Sequence, residues 1–198
     1  MSDYNVVMKT SKYKVIVADP PWSFKNYKAA AHGAPQYPTM SVKDMGKIPV
    51  RSWAEKDCLL LLWCTWPHME SGIQLVKDWG FNYVTGFPWI KTIPNSGTIR
   101  CGIGFWTQST SEFIIIARNG KVSPPRTDKR RGLLIGEDRQ FYGPINKHSA
   151  KPEDIQDWVE NRFEGPYLEL FARRKREKWD CWGYDTGYKL TQSGVEAV

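Results

Sequence analysis

Four residues near the start of the chain, Asp19-Pro20-Pro21-Trp22, bring together types that can do chemistry on one another's neighbours. An exocyclic amine on a nucleobase is a poor nucleophile, because its lone pair is delocalised into the ring. A carboxylate and a backbone carbonyl that each accept one N–H favour the tetrahedral nitrogen that can attack, and Asp19 supplies the carboxylate. The fixed φ of Pro20 and Pro21 holds the adjacent carbonyls in one direction. Trp22 offers a face on which a base drawn out of its stack can lie.

The elements around this turn must hold it at a ligand crevice. Val15, Ile16 and Val17 form a β-branched run that the prolines terminate, since proline cannot donate to a strand ladder. A strand over 13–18 therefore ends at Asp19, where open α/β sheets bind ligands. The segment 23–38 lacks periodicity and reads as a functional loop. Ser41 reads as an N-cap, with Asp44 three positions on, for a short helix to Lys47. Residues 57–64, with four successive leucines, read as a buried strand in a parallel sheet. A helix over 68–79 follows, apolar at Met69, Ile73 and Val76, with Gly80 just past its end.

Further strands are expected over 81–91 and 112–118, separated by a loop over 92–104. A long polar segment, 119–148, precedes a helix with the stripe Ile155, Trp158, Val159 and Phe163. Strands over 167–171 and 179–183 flank a charged turn at 173–178. The alternation implies an α/β fold with a mostly parallel sheet. The expectation is one domain over 1–188 and a disordered tail over 189–198.

Composition limits the function classes. A chain of 198 residues with ten tryptophans has material for a single core, and its net charge of +7 suits a polyanionic partner. No apolar run approaches the ~20 residues of a membrane helix, and residues 1–12 lack the apolar stretch of a signal peptide. Cys58, Cys64, Cys101 and Cys181 form no metal-type pair, so reduced thiols, no metal and a cytoplasmic location are expected. The glycine fingerprint of dinucleotide enzymes is missing.

Several segments, taken in order, resemble the DPPW adenine-N6 methyltransferases, the family of the seventy-kilodalton catalytic subunit of the mRNA adenosine methyltransferase. They are Val17-Ala18-Asp19-Pro20-Pro21-Trp22, Tyr37-Pro38-Thr39-Met40-Ser41, Leu61-Leu62-Trp63, Trp79-Gly80-Phe81, Ser149-Ala150-Lys151-Pro152-Glu153 and Glu169-Leu170-Phe171-Ala172-Arg173. They cover roughly residues 13 to 184. The resemblance implies a Rossmann-like fold that binds S-adenosyl-L-methionine, circularly permuted so that the catalytic strand comes first. It implies catalytic roles for Asp19, Pro20, Pro21 and Trp22. Around the cofactor it places Asp19, Lys151, Glu169, Phe171, Arg173 and Tyr184. Tyr184 stands where relatives often carry Asn.

On the substrate side, Tyr37 is expected to shape the acceptor pocket and Trp63 to form either a pocket wall or core. Arg126, Arg130 and Arg131, like the basic group at 173–178, are candidates for phosphate contact. The three histidines fit no triad, and transfer from a sulfonium needs none. The expected function is transfer of a methyl group from S-adenosyl-L-methionine to the 6-amino group of adenine in nucleic acid, with DNA as the polymer. The alternatives are a catalytically silent nucleic-acid-binding partner of the same fold, or the same chemistry on RNA adenine or on cytosine N4. A homodimer or a partner subunit stays open.

Overall fold

The computed structural model describes residues 5–6, 12–24, 38–102, 106–123, 141–144, 151–152, 154–183, 188–191 and 194–197. In chain order the elements are β1 (Asn5–Val6), β2 (Tyr13–Ala18), α1 (Val42–Gly46), α2 (Val50–Trp53), β3 (Ala54–Cys64), a 3-10 turn (Trp66–His68) and α3 (Met69–Asp78). Then come β4 (Asn82–Thr92), β5 (Ser111–Asn119), β6 (Phe141–Pro144), α4 (Asp154–Glu160), β7 (Tyr167–Leu170), β8 (Trp179–Gly183), β9 (Tyr188–Thr191) and β10 (Gly194–Ala197).

The run Val15-Ile16-Val17 forms the middle of β2, and β2 forms the middle of an eight-stranded sheet of order β1-β8-β7-β2-β3-β5-β4-β6. Four of the seven pairings are parallel, including both on β2. The fold is the expected α/β, Rossmann-like one. β3, β5, β4 and β6 build one flank of the sheet, and β7 and β8 from the last third of the chain, with β1 at the edge, build the other.

Period-2 alternation splits the sheet into two faces. Ile16, Ala18, Leu60 and Leu62 pack with Met45, Val50, Leu75, Val76 and Trp79 beneath α1, α2 and α3. Val15, Val17, Leu59, Leu61 and Trp63 pack with Ile155 and Val159 of α4 on the other face. The β2 and β3 side chains involved are essentially buried on both faces, which explains their unbroken apolar runs.

The cap on α1 is as the sequence indicates: the Asp44 amide donates to Ser41 Oγ at 3.1 Å. Gly80 stands at φ +74 just past α3, where a side chain would be strained. The buried face of α3 is Gly72, Leu75 and Val76; Met69 is exposed and Ile73 half-buried. The stripe expected at Met69, Ile73 and Val76 is thus displaced, because α3 approaches β3 closely at Gly72, where a Cβ would lie 2.8 Å from Cys64 Sγ.

Three expectations need correction. β3 begins at Ala54 rather than 57, and its second neighbour, β5, runs antiparallel to it. The polar segment 119–148 contains a strand, β6, which adds to β4 in parallel register from Trp89↔Phe141. The tail from Lys189 is not structureless: β9 and β10 form an antiparallel ribbon with Leu190 opposite Val195.

No helix among the described residues is long and apolar enough to cross a membrane. The four cysteines are unpaired, and burial pushes the Cys58 and Cys64 thiols up to about 12 and the Cys181 thiol to about 11. At neutral pH these three are inert core thiols.

The end of β8 lies against the turn that leaves β7: the Ala172 amide donates to the Trp182 carbonyl at 2.6 Å, and a Cβ on Gly183 would sit 1.9 Å from the Ala172 oxygen. Gly183→Ala is therefore expected to destabilise the fold by about 1–3 kcal/mol or more through backbone overlap. Urea denaturation checks this, and a change under 0.5 kcal/mol would contradict the close approach.

Candidate active site

The carboxyl edge of the sheet gathers one charged cluster. Asp19 follows the last residue of β2, and its amide donates to the Leu170 carbonyl of β7 at 3.1 Å. Lys151, just before α4, places Nζ 3.0 Å from Asp19 Oδ1 and 3.2 Å from Glu112 Oε2. Lys91, at the end of β4, pairs with the other Glu112 oxygen at 2.7 Å. Two acids and two ammoniums thus alternate as Asp19–Lys151–Glu112–Lys91, each side chain less than a fifth exposed.

Alternation along the strands puts this chain of charges on the α4 face, with Asp19, Trp63, Glu112, Lys91 and Glu169 in phase with Val17, Leu61, Ile114, Trp89 and Tyr167. Glu112 reaches this edge because β5 runs antiparallel, so its beginning lies beside the ends of β3 and β4. Sequence reasoning missed Glu112 for that reason, and Lys91, at the carboxyl end of β4, gains its meaning only once Glu112 is placed beside it. The available signal was an acid opening the strand Phe113-Ile114-Ile115-Ile116, which a buried strand tolerates only when the charge is paired.

Burial raises the Asp19 pKa; the Lys151 ammonium opposes this and the Glu112 carboxylate adds to it, leaving Asp19 above the usual range. Arg173 acts on Asp19 as a nearby positive charge. Glu112 is also buried, but Lys151 and Lys91 together outweigh that and hold it below its ordinary value.

The Asp-Pro-Pro-Trp turn is clamped from two sides. The Pro21 carbonyl accepts the Met40 amide at 3.0 Å and the Pro20 carbonyl accepts the Trp22 amide at 2.9 Å. This gives the segment containing Met40 and Ser41 a physical role, since it docks on the turn and then starts α1. Both proline carbonyls are thereby already engaged, each with one lone pair left. Trp22 is 4% exposed, donates Nε1 to the Trp63 carbonyl at 3.3 Å and stacks on His68 at 5.1 Å and 21°. The expected open face is occupied.

His68, which sequence reasoning left without a role, braces this segment. It contacts the Ser23 carbonyl through Nε2 at 3.0 Å, Thr65 Oγ1 through Nδ1 at 2.8 Å and the Phe24 ring edge-on at 4.6 Å. Since a carbonyl only accepts, Nε2 carries the proton and the Thr65 hydroxyl donates to Nδ1. Burial lowers the His68 pKa, partly offset by the bond to Ser23.

Trp63 is 1% exposed, meets Trp89 edge-on and lies 5.7 Å from Lys151 Nζ, so it is a floor beneath the ammonium rather than an open wall. Glu169 lies level with Val17, two residues before Asp19. Burial raises it to about 7, against the opposing hydrogen bond from Gln156 and the charge of Arg174. Its Oε2 and the Oε1 of Gln156 are buried acceptors with no hydrogen-bond donor among the described residues. Gln156 itself is 3% exposed on the inner face of α4, a residue that the apolar-stripe reading passed over.

The ring of Phe171 goes elsewhere. With φ +62, it turns onto the α3 face, stacked on Trp79 and tilted on Trp182. Of the basic turn at 173–178, Arg176 is committed to α4, with Nε 2.8 Å from Glu160 and Nη2 2.5 Å from Asp157. Tyr37, Arg126, Arg130, Arg131 and Tyr184 lie outside the described residues. No cluster of His, Cys, Asp and Glu among the described residues is arranged to hold a metal ion.

Comparison with known proteins shows which family the sequence matches. Residues 13–185 match the MT-A70 family. The chain is 31% identical over 194 residues to the type II methyltransferase M.MunI of a Mycoplasma species, covering 88% of this chain and 78% of that protein. It is 28% identical to the human N(6)-adenine-specific methyltransferase METTL4, covering 92% of this chain and 40% of METTL4. Against the human N(6)-adenosine-methyltransferase catalytic subunit METTL3 the identity is 28%, over 82% of this chain and 26% of METTL3. The chain thus spans less than half of either human relative.

Removing the central ammonium leaves two buried carboxylates facing each other, so Lys151→Met should destabilise the fold by about 3–5 kcal/mol at pH 8. Without Lys151 the folded-state pKa values of Asp19 and Glu112 rise, so the loss shrinks as pH falls toward the ordinary carboxylate range near 4. Denaturation of both proteins at pH 5 and pH 8 checks this; an equal deficit at both would contradict it. Glu169 provides a second case. A folded pKa of about 7 against an ordinary 4.5 favours the fold below 4.5, and that contribution is lost as pH rises through 7. Glu169→Gln should therefore gain on the wild type between pH 5 and pH 8, by up to roughly 3 kcal/mol.

Proposed function

The chain belongs to the MT-A70 family, and on that premise we propose that it transfers a methyl group from S-adenosyl-L-methionine to the 6-amino group of adenine in DNA. The observation that carries this reading is the Asp19 carboxylate, fixed at the end of β2 beside two rigid proline carbonyls and already paired on Oδ1 with Lys151. Support for methyl transfer comes from the Mycoplasma type II methyltransferase, which this chain spans over 78% of its length, and support for adenine from METTL4, named as N(6)-adenine-specific.

The residues present fit the cofactor. A ribose diol needs two acceptors, and Glu169 Oε2 and Gln156 Oε1 are buried acceptors that lack donors among the described residues. An amino-acid carboxylate needs a cation, and the Lys151 ammonium stands at the same edge. When bound, S-adenosyl-L-methionine supplies an electrophilic methyl group on a sulfonium.

The residues of the chain orient the amine. One Asp19 carboxylate oxygen accepts one N–H of the adenine amine, and the remaining lone pair of a proline carbonyl accepts the other. Both favour the tetrahedral nitrogen in which the lone pair is released for attack. The Lys151–Glu112–Lys91 chain keeps Asp19 in place and balances its charge. The nitrogen sheds its proton after attack, so no strong base is required.

Incubating the protein with labelled S-adenosyl-L-methionine and either DNA or RNA, followed by nucleoside mass spectrometry, tests the reading. N6-methyldeoxyadenosine is the expected product. Label confined to RNA would move the acceptor to RNA, and N4-methylcytosine would overturn the adenine assignment. Asp19→Asn should lower kcat by at least about a thousandfold while S-adenosylhomocysteine affinity stays within about tenfold, because the carboxylate acts on the acceptor. Residual turnover above a tenth of wild type would remove Asp19 from its role.

A further inference from the structure

A base drawn out of its stack leaves its neighbours without a partner, so an enzyme that works on such a base needs an aromatic face to replace what is lost. Trp22 is not that face, since His68 covers its ring and only 4% of it is exposed. Among the described residues the exposed aromatics are Trp66, Tyr83 and Trp106. Tyr83 lies at the start of β4, opposite Ala117 near the end of β5, and so at the far edge of the sheet. Trp106 is 99% exposed, and no packing fixes its direction.

Trp66 differs from both. It leaves the end of β3 one residue after Thr65 and remains 50% exposed, yet its orientation is set. Nε1 donates to Ser111 Oγ at 2.9 Å, and the ring leans on Phe113 at 4.8 Å and 38°. Pro67 follows it in the 3-10 turn. With its N–H already used, what Trp66 presents to solvent is an apolar ring. Ser111, to which it is tied, precedes Glu112, whose carboxylate holds Lys151 against Asp19. Alternation sends Glu112 to the α4 face and Ser111 and Phe113 to the α3 face, so the indole stands at the same carboxyl edge of the sheet as the charged cluster but on its other face.

We propose that Trp66 is a stacking platform for the nucleobase next to the target adenine. The inference rests on the nucleic-acid reading above, and it narrows the substrate to a strand whose bases are unpaired at the site. A pre-oriented indole loses little freedom on binding, and a chain of net charge +7 draws the phosphates to it. Stacking makes no demand on base identity, so the contact adds affinity without adding sequence preference.

The test uses fluorescence anisotropy with S-adenosylhomocysteine present and two single-stranded DNAs, one with a single adenine between ordinary bases and one with abasic residues on both sides of it. Trp66→Ala should weaken the ordinary strand between about five- and a hundredfold. On the abasic strand it should have no further effect, because the partner of the indole is already gone. Trp66→Phe should stay within about threefold of wild type, and S-adenosylhomocysteine affinity should not change. Unchanged affinity for the ordinary strand in Trp66→Ala would overturn the inference, as would an equal loss on both strands. So would a shift in oligomeric state by sedimentation with DNA affinity intact, which would make the indole a protein contact. A wild type that methylates adenine while Trp66→Ala binds DNA normally removes only this inference. A wild type that neither binds nor methylates nucleic acid removes the functional reading as well.

Discussion

The site depends on one ammonium between two carboxylates. Lys151 Nζ lies within 3.2 Å of both Asp19 and Glu112, and these three residues come from different parts of the chain: the exit of β2, the start of β5 and the entry to α4. Burying a carboxylate alone is prohibitively unfavourable, and two within reach of one another are worse. The pairing allows an acid to sit, mostly buried, at the end of a strand whose other residues are apolar. Lys91 completes the balance from β4, so the cluster as a whole carries no net charge.

That constraint explains the shape of the surrounding fold. β5 must run antiparallel to bring its first residues, not its last, to the carboxyl edge. α4 must start at that edge and cover the face that carries the charges, and Ile155 and Val159 anchor it there. Arg176 and Trp179, both bonded to Glu160, hold the other end of α4 against the start of β8. The opposite face is a separate apolar layer under α1, α2 and α3, where Trp79 ties the layer together by donating Nε1 to the Met45 carbonyl.

Much of this was legible in the residues. A β-branched run stopped by two prolines announces a buried strand ending at Asp19, and Ser41 with Asp44 announces a cap. The motif order also identified the family. What stayed hidden depends on direction and on long-range contact. Glu112 reads as the wrong end of a strand unless β5 is known to be reversed. Gln156 reads as the polar side of an amphipathic helix, although it faces inward toward Glu169. Trp22 looked like a free ring because the residue that covers it, His68, lies forty-six positions further along and binds through a 3-10 turn that no periodicity reveals. The ribbon of β9 and β10 was missed because two four-residue segments near a terminus, Tyr188–Thr191 and Gly194–Ala197, are too short for their alternation to register.

The central claim, that Asp19 and Lys151 act as one unit, is most directly tested by a double-mutant cycle. Folding stability would be measured for the wild type, Asp19→Asn, Lys151→Met and the double variant at pH 8. If the ammonium is held between the two carboxylates, the pair couples by about 2 kcal/mol or more, and the double variant is markedly more stable than the sum of the single losses implies. Additivity within about 0.5 kcal/mol would mean that the two residues do not share the buried contact, and would contradict the account.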